Sequence, residues 1–174
     1  MKFSVNQQDL QKSLNYCQGV IEKRNTLPIL SNILLEARDS KLTITATDLD
    51  LIFIHIISNV EILEEGKTTT SSSIMYDIVR KFSSGKKSNL TLTDTSKLHL
   101  ESEKSIFNLN CISYSEFPVT DENFNQNEFY IKSKHLLKLL NKCKFSVSND
   151  ETRHYLSGIY FHQTEVEDKN IEHF

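Results

Sequence analysis

The sequence predicts an α+β protein built from repeated antiparallel sheet units, each with a helix on one face. Three observations predict it. Hydropathy switches between period 2 and period 3.6, and the short alternating runs outnumber the helical ones. Turn-forming clusters such as "DSK" and "SSGKKSN" separate the alternating runs. The pattern that opens at residue 3 reappears from residue 129, at a constant offset of 126.

The elements follow in order. Residues 2–6 alternate and predict a strand. In "NQQDLQKSLNYCQGVI", Leu10, Leu14, Cys17 and Ile21 recur at i, i+4, i+7 and i+11, one face of a helix. Asn6 is placed to cap it, with Asp9 in its first turn. "LPILSNILLEA" reads as a strand with Pro28 at its entrance, where a missing N–H breaks no ladder bond. Leu42, Ile44 and Ala46 alternate in a second strand, and "LDLIFIHIISNVEI" reads as a third, β-branched and apolar on both sides. In "TTTSSSIMYDIVRKF" the period lengthens: Ile74, Ile78 and Phe82 share a helical face, with serines as caps and Arg80 and Lys81 in the last turn. "LTLTD", "KLHLES" and "SIFNLNCI" predict three more strands. A weakly periodic connector with Pro118 then leads to a domain boundary near residue 125, giving domains 1–125 and 126–174. Within the first, strand–helix–three strands is followed by helix–three strands, a weaker half-repeat in which each half is a small sheet under one helix.

The long repeat needs no gap. "KSLNYC" aligns with "KLLNKC", and "LSNI" with "LSGI". Two unrelated amphipathic helices would align their leucines, but would not also keep Asn–x–Cys and a later Leu–Ser–x–Ile in register.

Composition narrows the functions. With a net charge of −3, the chain is not a tight, purely electrostatic nucleic-acid binder. Cys17, Cys111 and Cys143 are widely spaced without CxxC and read as free, mostly buried thiols of a reducing cytoplasm. No signal peptide is expected, and the apolar stretch "LDLIFIHII" is too short to span a bilayer. The six histidines show no zinc-ligand spacing, and no phosphate-binding glycine loop occurs. Asp48 and Asp50 form an isolated D-x-D, which on a strand points two carboxylates the same way; a polar strand junction is the plainer reading than a metal site. No cofactor, metal or catalytic residue is expected.

"MKFSV", "RNTLPILSNILLEA", "KLTITATDLDL", "YDIVRKF" and "SEFP" resemble the first domain of the bacterial DNA polymerase III beta subunits, the sliding clamps. "FYIKSKHLLKLLNKCKFSVSNDETRHYLSGIYF" resembles the opening of their second domain, so the likeness covers about residues 1–161. It implies the DNA-clamp fold, in which three such domains per chain join head to tail in a two-chain homodimeric ring. Sheets form the wall, helices line the hole, and double-stranded DNA passes through. It implies a processivity factor rather than an enzyme, with the replicative polymerase and the clamp loader as partners. By the same likeness Arg24, before "TLPIL", faces the DNA, where a forked, permanent cation suits phosphate. His154 and Tyr155 fall on a DNA-facing loop, and Arg80, with Lys81, Lys86 and Lys87, adds positive potential. Leu156 is what remains of a partner-peptide pocket.

The sequence departs from the family in two places. Ser73 and Ile74 stand where a basic residue is common, which weakens the inner grip. After "YFHQTEVEDKN" the family pattern continues into a strand, whereas this sequence reads "IEHF" and ends, so an incomplete second domain and no third are expected. Two readings therefore stand: a clamp that encircles DNA, and a non-ring-forming module that binds other clamp chains through its first-domain edge.

Overall fold

Asn6 ends a strand and starts a helix. Strand β1 (Lys2–Asn6) passes directly into α1 (Gln7–Cys17), and the Asn6 side chain accepts a hydrogen bond from the Gln8 amide at 2.8 Å. A Ser, Thr, Asn or Asp at this position satisfies one of the donors that a helix start leaves unpaired. Asn6→Ala is expected to cost about 1 kcal/mol, read as a lower urea midpoint at unchanged slope. Leu10, Leu14 and Cys17 are fully buried, as their spacing predicts. Ile21 lies beyond the helix end and packs at the margin of the core.

The computed structural model describes residues 1–21, 27–94, 96–118, 130–148, 150 and 152–162. It divides into two units, Met1–Thr120 and Asp121–Phe174. In the first unit, α1 is followed by β2 (Asn32–Arg38), β3 (Lys41–Thr47), β4 (Ile52–Ser58), β5 (Glu61–Glu64), β6 (Gly66–Ser71), α2 (Ser72–Val79), β7 (Lys87–Asp94), β8 (Lys97–Ser102) and β9 (Ser105–Asn110).

Three sequence expectations need correction here. Pro28 does not enter a strand: Pro28–Ser31 is a 3-10 turn, with the Leu30 amide bonded to the Leu27 carbonyl at 3.1 Å and Ser31 Oγ donating to the Pro28 carbonyl at 2.7 Å. Proline suits the first position of such a turn because the N–H it lacks would have no partner there. The single strand expected over "LDLIFIHIISNVEI" is two, β4 and β5, broken at Asn59, whose φ of 60° is left-handed. On α2 the fully buried face is Ser72, Met75 and Val79; of the expected stripe, Ile78 and Phe82 are partly buried against the core and Ile74 is 54% exposed. Strand β6 occupies residues expected to open that helix and runs directly into it at Ser72.

All strand pairs are antiparallel, in two sheets ordered β5-β1-β7-β8-β9 and β4-β3-β2-β6. The half-repeat is therefore real in element order but exchanged in space. The strand before α1 pairs with β7 of the second half, and the strand before α2, β6, pairs with β2 of the first. Between the sheets and the helices lies one core, containing Phe3, Leu10, Leu14, Ile33, Ile44, Met75 and Leu98. Cys17 belongs to it, and burial pushes its thiol up from 9.0 to about 12. Ionisation is therefore resisted by the folded state: this contribution to stability is complete below pH 9 and is lost as pH rises from 9 towards 12. Brief alkylation at pH 8, read by peptide mass spectrometry, is expected to modify exposed Cys143 and spare Cys17 until urea unfolds the unit.

The second unit contains α3 (Ser133–Cys143), a 3-10 turn over Lys144–Ser146 and another over His154–Leu156. Shifting α1 by the repeat offset gives the bounds of α3, and shifting Pro28 gives His154, where the second unit's later 3-10 turn begins. The repeat in sequence is thus a repeat in structure. Its packing differs: no residue of α3 is buried, and Leu137 is 60% exposed.

Candidate nucleic-acid interface

Helices α1 and α2 lie side by side and run in opposite directions, held by three cross-links. Gln7 Nε2 at the start of α1 donates to the Val79 carbonyl at the end of α2, at 2.9 Å. Near the middle, the Tyr76 hydroxyl donates to Asn15 Oδ1 at 3.0 Å. Past the end of α1, Gln18 Nε2 donates to Ser72 Oγ at the start of α2, at 2.8 Å.

With Leu10, Leu14 and Cys17 turned inward, α1 presents Gln8, Lys12 and Asn15 outward; α2 presents Ser73, Asp77 and, just past its end, Arg80 and Lys81. Apart from Tyr16 and Ile74, which are 45% and 54% exposed, this surface is polar and nearly balanced in charge: Lys12, Arg80 and Lys81 stand against Asp9 and Asp77. Such a surface suits weak, sequence-blind contact with phosphates, to which amides and hydroxyls donate as well as cations. The outward residues of α1 are the complement of the apolar stripe that locates the core, and the same helical spacing marks them in the sequence.

Arg80 is not a freely swinging cation. Its guanidinium meets Asp77 Oδ1 at 3.0 Å and sits over the Tyr76 ring at 5.8 Å from the centroid. Lys86 and Lys87 are also engaged, with Glu103 at 3.5 Å and Glu61 at 2.8 Å. Lys87 in turn holds the Glu61 carboxyl below its usual range. Lys12 and Lys81 have no ion-pair partner among the described residues. Arg24 lies outside the described residues.

In the second unit His154, Tyr155 and Leu156 form the 3-10 turn, closed by the Leu156 amide on the Arg153 carbonyl at 2.9 Å. The Leu156 carbonyl accepts from the Ser148 amide at 2.9 Å. Tyr155 is 81% exposed and Leu156 42%. Arg153 pairs with Asp150 at 3.5 Å, and the Thr152 hydroxyl and amide hold the Asp150 carboxyl below its usual range. These contacts fix the turn and leave the tyrosine ring facing solvent.

Asp48 and Asp50 do not sit together on a strand. They occupy the β3–β4 turn, where Asp48 Oδ1 accepts from the Asp50 and Leu51 amides at 3.1 and 2.6 Å. One carboxylate is thus occupied in shaping the turn. Among the described residues no three His, Cys, Asp or Glu side chains come together as metal ligands, and no helix is long and apolar enough to cross a membrane.

A family model described as DNA polymerase III beta subunit, N-terminal domain, matches residues 1–121. The beta sliding clamp of Caulobacter vibrioides is 36% identical across 93% of this chain and 44% of its own length. The beta sliding clamp of Rickettsia felis is 37% identical across 98% of this chain, again over 44% of its own length. A crystal structure of the Caulobacter crescentus beta sliding clamp superposes with a TM-score of 0.89 over 93% of this chain and 43% of that one, at 36% identity. The chain thus spans less than half the length of the curated relatives it matches. Two sheets with exchanged first strands, two antiparallel helices on them and a sequence repeat that restarts the pattern all agree with these likenesses, and the chain belongs to the DNA polymerase III beta subunit family, the beta sliding clamps.

Proposed function

We propose that this chain acts as the leading part of a DNA sliding clamp, an accessory factor that keeps the replicative polymerase on its template and catalyses no reaction itself. The observation that carries this reading is the antiparallel α1–α2 pair, whose polar, almost charge-balanced outer face would look into the hole of a ring. A ring holds duplex DNA by topology, so its inner contacts must be weak enough to slide; strong phosphate pairing would brake it. Arg24 supplies the main phosphate contact, Lys12 and Lys81 add to it from the helices, and Arg80 contributes less because Asp77 already holds it. His154 and Tyr155 meet the duplex from the second domain, which begins near residue 126, after a first domain ending near 125. Of the lining of the pocket for peptides of the polymerase and the clamp loader, these residues carry Leu156 alone, an incomplete site. Such work takes place on chromosomal DNA in the cytoplasm.

Loading by the cognate clamp loader tests the reading. Labelled protein should remain on a nicked circular plasmid through gel filtration and be lost once the plasmid is cut. Equal retention on circular and linear DNA, or on neither, would sink the topological role.

One feature favours the second reading, a module that joins other clamp chains. Strand β9 is a sheet edge, with Ile106 58% exposed, and beside it Ile74, Ile78, Phe82 and Phe107, together with Asp77, Lys81 and Ser105, line a groove of about 280 Å³. Here lies the Ile74–Ile78–Phe82 stripe, of which Ile78 and Phe82 are partly buried against the core and Ile74 is exposed. A groove with apolar walls and the charges of Asp77 and Lys81, next to a sheet edge, suits a neighbouring domain that adds a strand and inserts side chains. Phe107→Asp should abolish capture of this chain by an immobilised full-length sliding clamp; undiminished capture would move the contact elsewhere.

A further inference from the structure

Gln7, Gln11, Asn15 and Gln18 recur at i, i+4, i+8 and i+11, a stripe of amide side chains along one side of α1. Both ends of the stripe are committed to the seam with α2. Gln7 Nε2 donates twice, to the Val79 carbonyl at 2.9 Å and to Gln11 Oε1 at 2.8 Å. Gln18 Nε2 donates to Ser72 Oγ at 2.8 Å and to the Leu14 carbonyl at 3.4 Å. Gln8, off the stripe, gives its Nε2 to Ser84 Oγ.

The two middle amides are engaged through their oxygens only. A carbonyl can only accept, so Val79 decides which end of the Gln7 amide is nitrogen, and Gln7 then turns Oε1 of Gln11 towards itself. The Tyr76 hydroxyl donates to Asn15 Oδ1 at 3.0 Å. Gln11 Nε2 and Asn15 Nδ2 are therefore the free ends, without a hydrogen-bond partner among the described residues. Gln11 is half-buried and Asn15 exposed. Side chains four apart on a helix are neighbours, so two NH2 groups stand one turn apart on the α1 surface.

We infer that Gln11 and Asn15 are neutral phosphate donors of the interface, and that Tyr76 is the positioning residue that turns the Asn15 amide nitrogen towards the duplex. The inference rests on the proposed clamp role and adds to it how a face with almost no net charge holds DNA. Cations bind phosphates largely by releasing counterions, so their contribution falls steeply with salt. An amide N–H donates to a phosphate oxygen and carries no charge that would release one. Such a contact is weak, is the same at every phosphate and keeps its strength as salt rises, which suits a surface that must slide.

Fluorescence anisotropy of the full chain on a short duplex, over a series of salt concentrations, tests it. Asn15→Ala and Gln11→Ala should each weaken binding about threefold at every salt concentration, the scale of one neutral hydrogen bond, with the slope against log salt unchanged. Asn15→Lys should instead strengthen binding at low salt and steepen the slope by about one. Both Asn15 variants change an exposed side chain and keep the fold. Tyr76→Phe keeps the ring beneath Arg80 and removes only the hydroxyl. It should weaken binding about twofold, and the double variant with Asn15→Ala should bind no more weakly than Asn15→Ala alone. Unchanged binding for Asn15→Ala and Gln11→Ala, in a chain whose binding Arg24→Ala weakens, overturns the inference and leaves the clamp role standing. A shallower salt slope for Asn15→Ala also overturns it, and additive losses for Tyr76→Phe and Asn15→Ala overturn the positioning role of Tyr76. A native chain that binds no duplex even at low salt overturns the clamp role and the inference together.

Discussion

Leu14→Ala is expected to destabilise the first unit by about 3 kcal/mol, within the range of about 2–5 kcal/mol seen for fully buried leucines. Leu14 is wholly inaccessible to solvent and belongs to the one face that fastens α1 to the core. Its flanking anchors, Leu10 and Cys17, are equally buried, and Gln7 and Gln18 tie both ends of the helix to α2. The helix therefore has little freedom to sink into the space left by the lost methyls, and the cavity term adds to the transfer term. Urea unfolding followed by circular dichroism should show a lower midpoint, and heating a lower Tm by roughly 10 °C for a unit of this size. Leu137→Ala on α3 is the matched control. Its side chain is 60% exposed, so the change should fall within about 0.5 kcal/mol of zero. Equal losses for the two leucines would contradict the packing described for the first unit.

The second large effect concerns DNA. Arg24→Ala is expected to weaken binding to a short duplex about tenfold at low salt and to reduce the salt dependence by about one phosphate contact. Arg80→Ala should do much less, although both are arginines expected to face the duplex. Asp77 at 3.0 Å already satisfies part of the Arg80 guanidinium, and its plane rests on Tyr76. Moving it to a phosphate exchanges one acid for another, with little net gain. Fluorescence anisotropy at two salt concentrations separates the two variants, and Asp77→Asn should bring Arg80 into play. Equal losses for Arg24→Ala and Arg80→Ala would mean that the ion pair does not withhold Arg80 from DNA.

Much of α1 was legible in the sequence because three signals agree there: a capping asparagine, an apolar stripe at helical spacing and a polar complement. For α2 the helix was legible but its inward face was not. Ile74, Ile78 and Phe82 form the more apolar stripe, yet the helix enters from β6 with Ser72 inward, and Phe82 instead meets Phe107 with ring centroids 6.0 Å apart. Hydropathy ranks faces without knowing how the preceding strand aims the helix. Strand β6 escaped notice because its inward residues are threonines. Thr68, Thr69 and Thr70 are all buried, and two of the hydroxyls are satisfied by backbone carbonyls more than 35 residues away in sequence. Exchange of the first strands was also beyond reach, since alternation assigns a strand its faces and not its neighbours. Of the candidate site, the Asp77–Arg80 pairing was available from its i, i+3 spacing. The stability of the Tyr155 turn was not, because it depends on Ser148, Asp150 and Thr152 closing on it.

Strand exchange also sets an order of events during synthesis. Strand β1 is the first to leave the ribosome, yet it ends up in the middle of its sheet, between β5 and β7. Its partners begin at Glu61 and Lys87, so at about 5–20 residues per second β1 waits roughly 4–17 seconds for its second neighbour. Meanwhile β2, β3 and β4 are joined by short turns and close locally, which is the faster kind of contact. The nascent chain thus holds a formed hairpin pair beside an unpaired leading strand whose Phe3 and Val5 have no cover. Nascent-chain handling should therefore concentrate on β1 until translation has passed β7.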